Sequence, residues 1–343
     1  MAISVKKILN KFHCFLNGVR LYRFLNEIKL IPSLKYFIIL NNIKEHFDNS
    51  KGEIIMKQKI AIFSDIHGNM TALEAVYKDM QEQKVTTSWF MGDLFIPGSG
   101  AQDLWDLMQR INPSVYVKGN WDELLIKGIK GRLIPDRPSK VYMCRLAEDL
   151  ATKLDPIIIQ QIKKWPERAV VKINDIKIAL THNLPDKDYG QDLYPTVPTK
   201  NFDKLFIEKD LDVAIYAHVH HPLMRYSSEE QLVLNPGSVG ELFFKHPKFQ
   251  KDLRAEYLIL TIDEQGIREI DFRKVAYDRE KEVKRAQKAQ IPYLCLYEKQ
   301  LKTGESHTHD YDLLVKLNKE KGYLEEVKKY NANHTVIFKK TNY

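Results

Sequence analysis

Lys59-Ile60-Ala61-Ile62-Phe63-Ser64-Asp65-Ile66-His67-Gly68-Asn69 is the stretch from which the rest of the chain is read. Lys59–Ser64 is a short apolar run and reads as a buried strand. An acid and an imidazole follow at its C-terminal end. Asp65 and His67 alternate, so on an extended chain both point to one side. Gly68 lets another backbone approach closely. Asn69 is placed to cap the next helix, whose N-terminus is itself an anion site.

Downstream the same plan repeats. Leu73, Val76, Tyr77 and Met80 predict a helix over Thr71–Gln83, and Ser88–Met91 reads as a second strand. Leu104, Leu107, Met108 and Ile111 predict a helix over Gln102–Ile111, and Val115–Lys118 is a third strand. Residues 122–165 read as mostly helical, broken at Pro135, Pro138 and Pro156. After Pro166 the character changes. Ala169–Ile173 and Ile176–Leu180 form a hairpin pattern across Asn174-Asp175, and Val213–Ala217, Gln231–Leu234, Glu256–Ile262 and Ile267–Phe272 are further strands. The expected fold is α/β: a sandwich of two mixed β-sheets flanked by helices. The tail from Tyr277 opens on a charged helical run, Arg279–Gln290, and reads as an appended segment.

Upstream, Val5, Ile8, Leu9, Phe12, Leu16 and Val19 fall at helical spacing among lysines. This is either a basic amphipathic helix that touches a membrane or partner, or an inert extension. A third reading is that translation starts at Met56, just before the first strand, and that 1–55 is over-annotated. The expected organisation is therefore 1–55 as a basic extension, 56–275 as the core and 276–343 as a helical lid segment.

At 343 residues, 44% hydrophobic and 29% charged, the chain is of globular type. Its net charge of +8 is uneven: residues 1–55 hold nine bases against four acids, leaving 44 against 41 elsewhere. The core is thus too near neutral for a nucleic-acid binder. No apolar run reaches the roughly 18 to 20 residues of a membrane helix. The N-terminus lacks the apolar stretch and cleavage site of a signal peptide. Cys14, Cys144 and Cys295 are odd in number and far apart, which fits a cytoplasmic protein without disulfides.

The chemistry sits at strand ends, where open α/β sheets place ligands. Five motifs fall there in order: Asp65-Ile66-His67-Gly68-Asn69, Gly92-Asp93, Gly119-Asn120-Trp121-Asp122, Thr181-His182-Asn183 and Ala217-His218-Val219-His220. Each alone is weak; Gly-Asp is usually just a turn. Together, Asp65, His67, Asp93, Asn120, His182, His218 and His220 offer two carboxylates, one amide oxygen and four imidazoles. That mixture suits manganese, iron or zinc rather than calcium or magnesium, manganese being the first choice. Seven donors are too many for one ion, whereas two ions sharing a bridging carboxylate use them all.

This ordered set resembles the calcineurin-like metallophosphoesterase superfamily over about residues 58–275. Asn235-Pro236-Gly237-Ser238-Val239-Gly240 is similar to the segment that ends the core in its small bacterial branch. His182–Lys187 and Lys251–Tyr257 resemble bacterial members described as asymmetric diadenosine tetraphosphate hydrolases. The resemblance implies that Asp65, His67 and His220 hold one metal, that Asn120, His182 and His218 hold the other, and that Asp93 bridges. Asp65, Asp93, Asn120 and His218 would then carry catalysis, with a metal-bridging hydroxide attacking phosphorus. The chain departs from the family pattern at Trp121, where a leaving-group-protonating His is usual, at Ala217 in place of Gly, and over Leu94–Gly98, which lacks an Arg.

Without a general acid, typically worth 10²–10⁴ in rate, a poor alkoxide leaving group suffers and a phosphoanhydride does not. Trp121 therefore favours nucleotide polyphosphates or activated esters. Its ring either stacks a base or packs beside the metals. Asn69, His307 and His309 are the other candidate substrate contacts, the last two on a lid loop that is otherwise a solvated one. His221, Lys118, Lys187 and Arg254 are further phosphate or proton-donor candidates. The expected partner is a small phosphate ester or nucleotide; a non-catalytic scaffold and a metal-dependent nuclease are the competing readings. Nothing in the sequence addresses oligomeric state.

Overall fold

The computed structural model describes residues 57–340; the basic segment 1–55, its predicted helix and the start at Met56 lie outside them. The first half builds β1 (Gln58–Phe63), α1 (Met70–Glu82), β2 (Thr87–Phe90), α2 (Gln102–Ile111), β3 (Val115–Tyr116) and α3 (Asn120–Ile129). Two helices, α4 (Pro138–Ala151) and α5 (Pro156–Ile162), each start on a proline, whose missing N–H is not needed there. Next come β4 (Arg168–Ile173), β5 (Ile176–Thr181), the short α6 (Thr199–Asp203), β6 (Val213–Ile215), β7 (Leu223–Tyr226) and β8 (Leu232–Asn235). The long hairpin of β9 (Ala255–Asp263) and β10 (Gly266–Val275) precedes α7 (Arg279–Ala289), α8 (Leu294–Thr303), α9 (Tyr311–Lys321) and α10 (Tyr323–Lys340).

The strands form two mixed five-stranded sheets, ordered β10-β9-β1-β2-β3 and β4-β5-β6-β8-β7. Alternation along β1 explains how they stack. Ile60 and Ile62 enter the apolar layer between the sheets, with Trp89, Ile178, Leu180, Ile215, Leu234, Leu258 and Leu260. Ala61 and Phe63 face the opposite way, into the layer under the helices, with Leu73, Val76, Leu104 and Met108. A third apolar layer, with Phe202, Leu205 and Tyr216, covers the far face of the second sheet. Burying each large side chain in these layers contributes roughly 1.5–3 kcal/mol.

Parallel pairing places the strand ends together. β1 pairs β2 with Phe63 opposite Phe90, and β6 lies parallel to both β5 and β8. The Asn235–Gly240 segment then joins the sheets: Ser238 Oγ donates to the Asp65 carbonyl at 2.9 Å, and the Val239 and Gly240 amides donate to the carbonyls of Ser64 and Asp65, each at 3.0 Å.

Two expectations differ. β7, an unpredicted edge strand, alternates half-buried with exposed residues next to Pro222, so no apolar run marks it. The tail, expected as an appended segment, joins the main core through Tyr293, Leu296, Leu314 and Val327. Its anchor is Glu282, fully buried, whose carboxylate accepts from the Thr71 amide (3.0 Å) and Thr71 Oγ1 (2.6 Å) at the start of α1 and from Tyr297 Oη (3.1 Å) of α8. Glu282→Ala strands these donors and is expected to cost roughly 3 kcal/mol in denaturant unfolding. A loss under about 0.5 kcal/mol, the scatter of a surface substitution, rules out this anchoring role.

Candidate metal centre

β1 ends at Phe63 and β6 at Ile215, so the acid and imidazoles beyond them do not lie on extended chain as predicted. Asp65, His67, Asp93, His218 and His220 all have positive φ, between 50° and 63°. Each stands in a turn that aims its side chain at one place. For non-glycine residues this conformation costs roughly 1–3 kcal/mol apiece and persists only where the surroundings enforce it. The enforcement is a backbone ladder: the Asp65 amide donates to Gly92 O at 2.9 Å, and those of Ile66 and His67 donate to Asp93 O at 3.0 and 3.1 Å. Across the other sheet, the Ala217 amide donates to His182 O at 2.9 Å.

The side chains converge as two adjoining groups, Asp65–His67–His220 and Asp93–His182–His218. In the first, His220 Nε2 is 3.0 Å and His67 Nε2 3.8 Å from Asp65 Oδ1. In the second, His182 Nε2 is 3.2 Å from Asp93 Oδ2 and 3.1 Å from Asn120 Oδ1. Asp93 Oδ2 is also 3.8 Å from His67 Nε2, so it faces both groups.

Two features fit this cage to cations. Asp65 Oδ1, His67 Nε2 and Asp93 Oδ2 are buried and have no hydrogen-bond partner. Such atoms cost free energy unless something else satisfies them. The Nδ1–H groups of His67 and His182 donate to the carbonyls of Ile96 (2.9 Å) and Met91 (2.7 Å), and that of His220 donates to Glu241 O. These bonds leave each Nε2 lone pair directed inward, the tautomer a metal requires. His218 Nε2 accepts from the Gly190 amide at 3.0 Å.

The electrostatics agree. Burial alone raises the Asp65 and Asp93 carboxyls, but the surrounding imidazoles hold both below the ordinary range. Burial lowers His67 and His182, yet Glu241, Asp93 and Asp65 lift them to about 9 and about 10. His218 is pushed down to about 4 by burial and by His182. Metal uptake at pH 7.5 must therefore displace about two protons, measurable by calorimetry in buffers of different ionisation enthalpy. Buffer-independent heats contradict this. In the cation-free protein these raised imidazoles contribute stability that is full below pH 6.5 and fades as pH climbs through about 9 and 10.

The other predicted contacts divide. Trp121 lies edge-on to His67, ring centres 5.0 Å apart, and its amide donates to Asp93 Oδ1 at 2.9 Å. Asn69 is fully buried in a scaffold role, capping α1 at Ala72 N (3.0 Å) and donating to Gly240 O (3.2 Å) and Tyr277 Oη (3.1 Å). His307 pairs locally, 3.4 Å from Asp310 and 3.8 Å from Glu305. Among the described residues no hydrogen bond or ion pair joins His307 or His309 to the cage. Lys118, Lys187 and Arg254 are paired with Glu123, Asp192 and Asp252. His221 packs on Tyr194 and Phe244.

Two acids at the site were not foreseen in these roles. Asp122 accepts from the amides of Asp93 and Gly119 (2.9 Å each) and Leu94 (3.1 Å), fixing the Asp93 turn. Its signal was legible as an acid at the third position of α3, where side chains commonly reach back to the helix start. Glu241 Oε2 stands 3.5 Å from His67 Nε2, and no local pattern marks it.

Comparison with known proteins adds to this geometry. Residues 58–265 match the family model described as calcineurin-like phosphoesterase superfamily domain. An uncharacterized protein of Methanocaldococcus jannaschii is 24% identical over 259 residues, spanning 69% of this chain and 96% of that protein. A metallophosphoesterase from Sphaerobacter thermophilus shares the fold with a TM-score of 0.54 at 22% identity, covering 72% of this chain and 100% of that one. A hypothetical protein from Pyrococcus horikoshii gives 0.58 at 19% identity, with 72% and 99% covered.

Proposed function

This chain belongs to the calcineurin-like phosphoesterase superfamily, and from that premise we propose that it hydrolyses a phosphoanhydride or phosphodiester bond of a nucleotide, diadenosine tetraphosphate being the leading candidate. The observation that carries the reading is the convergence of two donor groups on one buried carboxylate oxygen, Asp93 Oδ2, that no hydrogen bond satisfies. Asp65, His67 and His220 are the proposed holders of one divalent ion, and Asn120, His182 and His218 of the other, with Asp93 between them. Manganese is the ion we assign, on the mixed oxygen and nitrogen donor set, with iron and zinc as competitors. Two such ions supply water activation near neutral pH and neutralisation of phosphoryl charge.

The residues themselves do the placing. The Nδ1 anchors fix each imidazole plane, and the Trp121 amide holds Asp93 Oδ1 so that Oδ2 remains directed inward. The Trp121 indole N–H is far too weak an acid to protonate a leaving oxygen, so the preferred bond is one whose leaving group is already a stable anion.

A nucleotide substrate is supported by the surroundings of His220. Phe243 lies 4.9 Å from its ring, and His221, Phe244 and Tyr194 continue an aromatic strip beside it. Lys245 Nζ lies 5.0 Å from the Tyr194 ring centre and Lys274 Nζ 6.0 Å from that of Phe244, so cations flank the strip. Aromatic faces and cations together suit a base with phosphates. Among the described residues no helix is long and apolar enough to cross a membrane, and Cys144 and Cys295 are free.

A panel with manganese tests this reading: diadenosine tetraphosphate, a cyclic nucleotide, bis-p-nitrophenyl phosphate and an alkyl monoester. Turnover is expected to be fastest on the anhydride and poorest on the monoester. Trp121→His is expected to raise monoester turnover by about 10-fold or more and to change anhydride turnover little. Equal effects on both, or a monoester preference in the unaltered protein, refute the leaving-group argument.

A further inference from the structure

The carboxylate of Glu241 borders the first donor group. This residue follows the Asn235–Gly240 segment and is 4% exposed. Both ends of it are tied to the cage. Its amide donates to Ser238 Oγ at 2.9 Å, and Ser238 in turn holds the Asp65 carbonyl. Its carbonyl accepts the Nδ1–H of His220. Its side chain brings Oε2 to 3.5 Å from His67 Nε2, the buried nitrogen that lacks a hydrogen-bond partner.

That nitrogen thus faces three carboxylate oxygens: Glu241 Oε2 at 3.5 Å and Asp65 Oδ1 and Asp93 Oδ2 at 3.8 Å each. Separations of roughly 3–4 Å are those of donors that each lie about 2.1 Å from one ion. Three buried carboxylates beside one another repel, and the two imidazoles of His67 and His182 offset only part of that. A divalent cation among them removes the conflict.

We propose that Glu241 is a further donor to the first metal position and makes that position the tighter of the two. The inference rests on the two-metal reading above. It gives the first position Asp65, His67, His220, Glu241 and the shared Asp93. The second has Asn120, His182, His218 and the shared Asp93, one protein donor fewer and two negative charges fewer. The first ion is then resident and the second exchangeable.

The competing role for Glu241 is a plain ion pair with protonated His67. The two roles predict opposite signs. As an ion-pair partner, Glu241 strengthens the proton that competes with the metal, so its removal tightens metal binding. As a donor, its removal weakens it.

Calorimetric titration of the metal-free full chain with Mn²⁺, with the bound metal counted by elemental analysis, separates these roles. The unaltered protein is expected to take up two ions in unequal steps. Glu241→Gln, which keeps shape and the backbone carbonyl, is expected to weaken the tighter step at least tenfold and to leave the weaker within twofold. Glu241→Asp, with charge kept and reach shortened, should fall between. Unchanged or tighter binding in Glu241→Gln overturns the proposal while the two-metal reading stands. So do two equal steps in the unaltered protein, a result that needs no variant to fold. Uptake of fewer than two ions by the unaltered protein sinks the two-metal reading itself.

Discussion

Asp93→Ala is expected to lower turnover at least about 10³-fold and to abolish metal uptake together with it, as measured by steady-state kinetics and metal analysis on the same preparation. Asp93 Oδ2 lies within 4 Å of both His67 Nε2 and His182 Nε2, at 3.8 and 3.2 Å. Removing it leaves each donor group short of an anion and leaves two cationic imidazoles facing each other. The loss extends to geometry, because Oδ1 accepts the Trp121 amide at 2.9 Å and thereby fixes the first turn of α3. Asp93→Asn keeps that amide contact and so isolates the charge. It is expected to fold as the parent does and still lose most metal affinity. Metal-dependent turnover within tenfold of the parent in Asp93→Ala would sink the proposed site.

Asp122→Ala is expected to act on stability first. Its carboxylate is almost fully buried and accepts three backbone amides, those of Asp93, Leu94 and Gly119. Each amide left without an acceptor costs about 1–3 kcal/mol, so a total loss of roughly 3 kcal/mol or more is expected, out of the roughly 5–15 kcal/mol that typical folds have. Thermal unfolding should fall by about 10 °C or more. Turnover should drop as well, since the same amides set the Asp93 turn. Supplying excess Mn²⁺ should recover part of the melting temperature through linkage. A variant that melts within 2 °C of the parent contradicts this role.

What the sequence made legible follows from distance along the chain. β1 is recognisable because a strand buried on both faces reads as an uninterrupted apolar run, and Ile60 to Phe63 are indeed all buried. The seven proposed metal-binding residues sit next to such runs, so strand ends marked them. Glu241 lies in a loop with no strand of its own and enters the cage only through the fold, opposite His67. Asn69 stood in the motif yet serves the scaffold, since a cap and a ligand contact call for the same polar residue. The tail misled for a related reason. Charged faces dominate α7, while its buried Glu282 and Ala286 are too few to announce that it packs into the core.

The five left-handed turns at Asp65, His67, Asp93, His218 and His220 also bear on how such a protein ages in evolution. The amides of Asp65 and His67 are held main chain to main chain, whereas the carboxylates of Asp65 and Asp93 themselves accept the amides of His218 (3.3 Å) and Trp121 (2.9 Å). Glycine at any of these positions accepts the same dihedral angles without steric penalty. Selection for folding alone therefore erodes the cage first at its histidines, because the carboxylates of Asp65 and Asp93 also hold backbone amides. A lineage released from that demand is expected to retain both sheets and to lose its donors singly, starting at the turns.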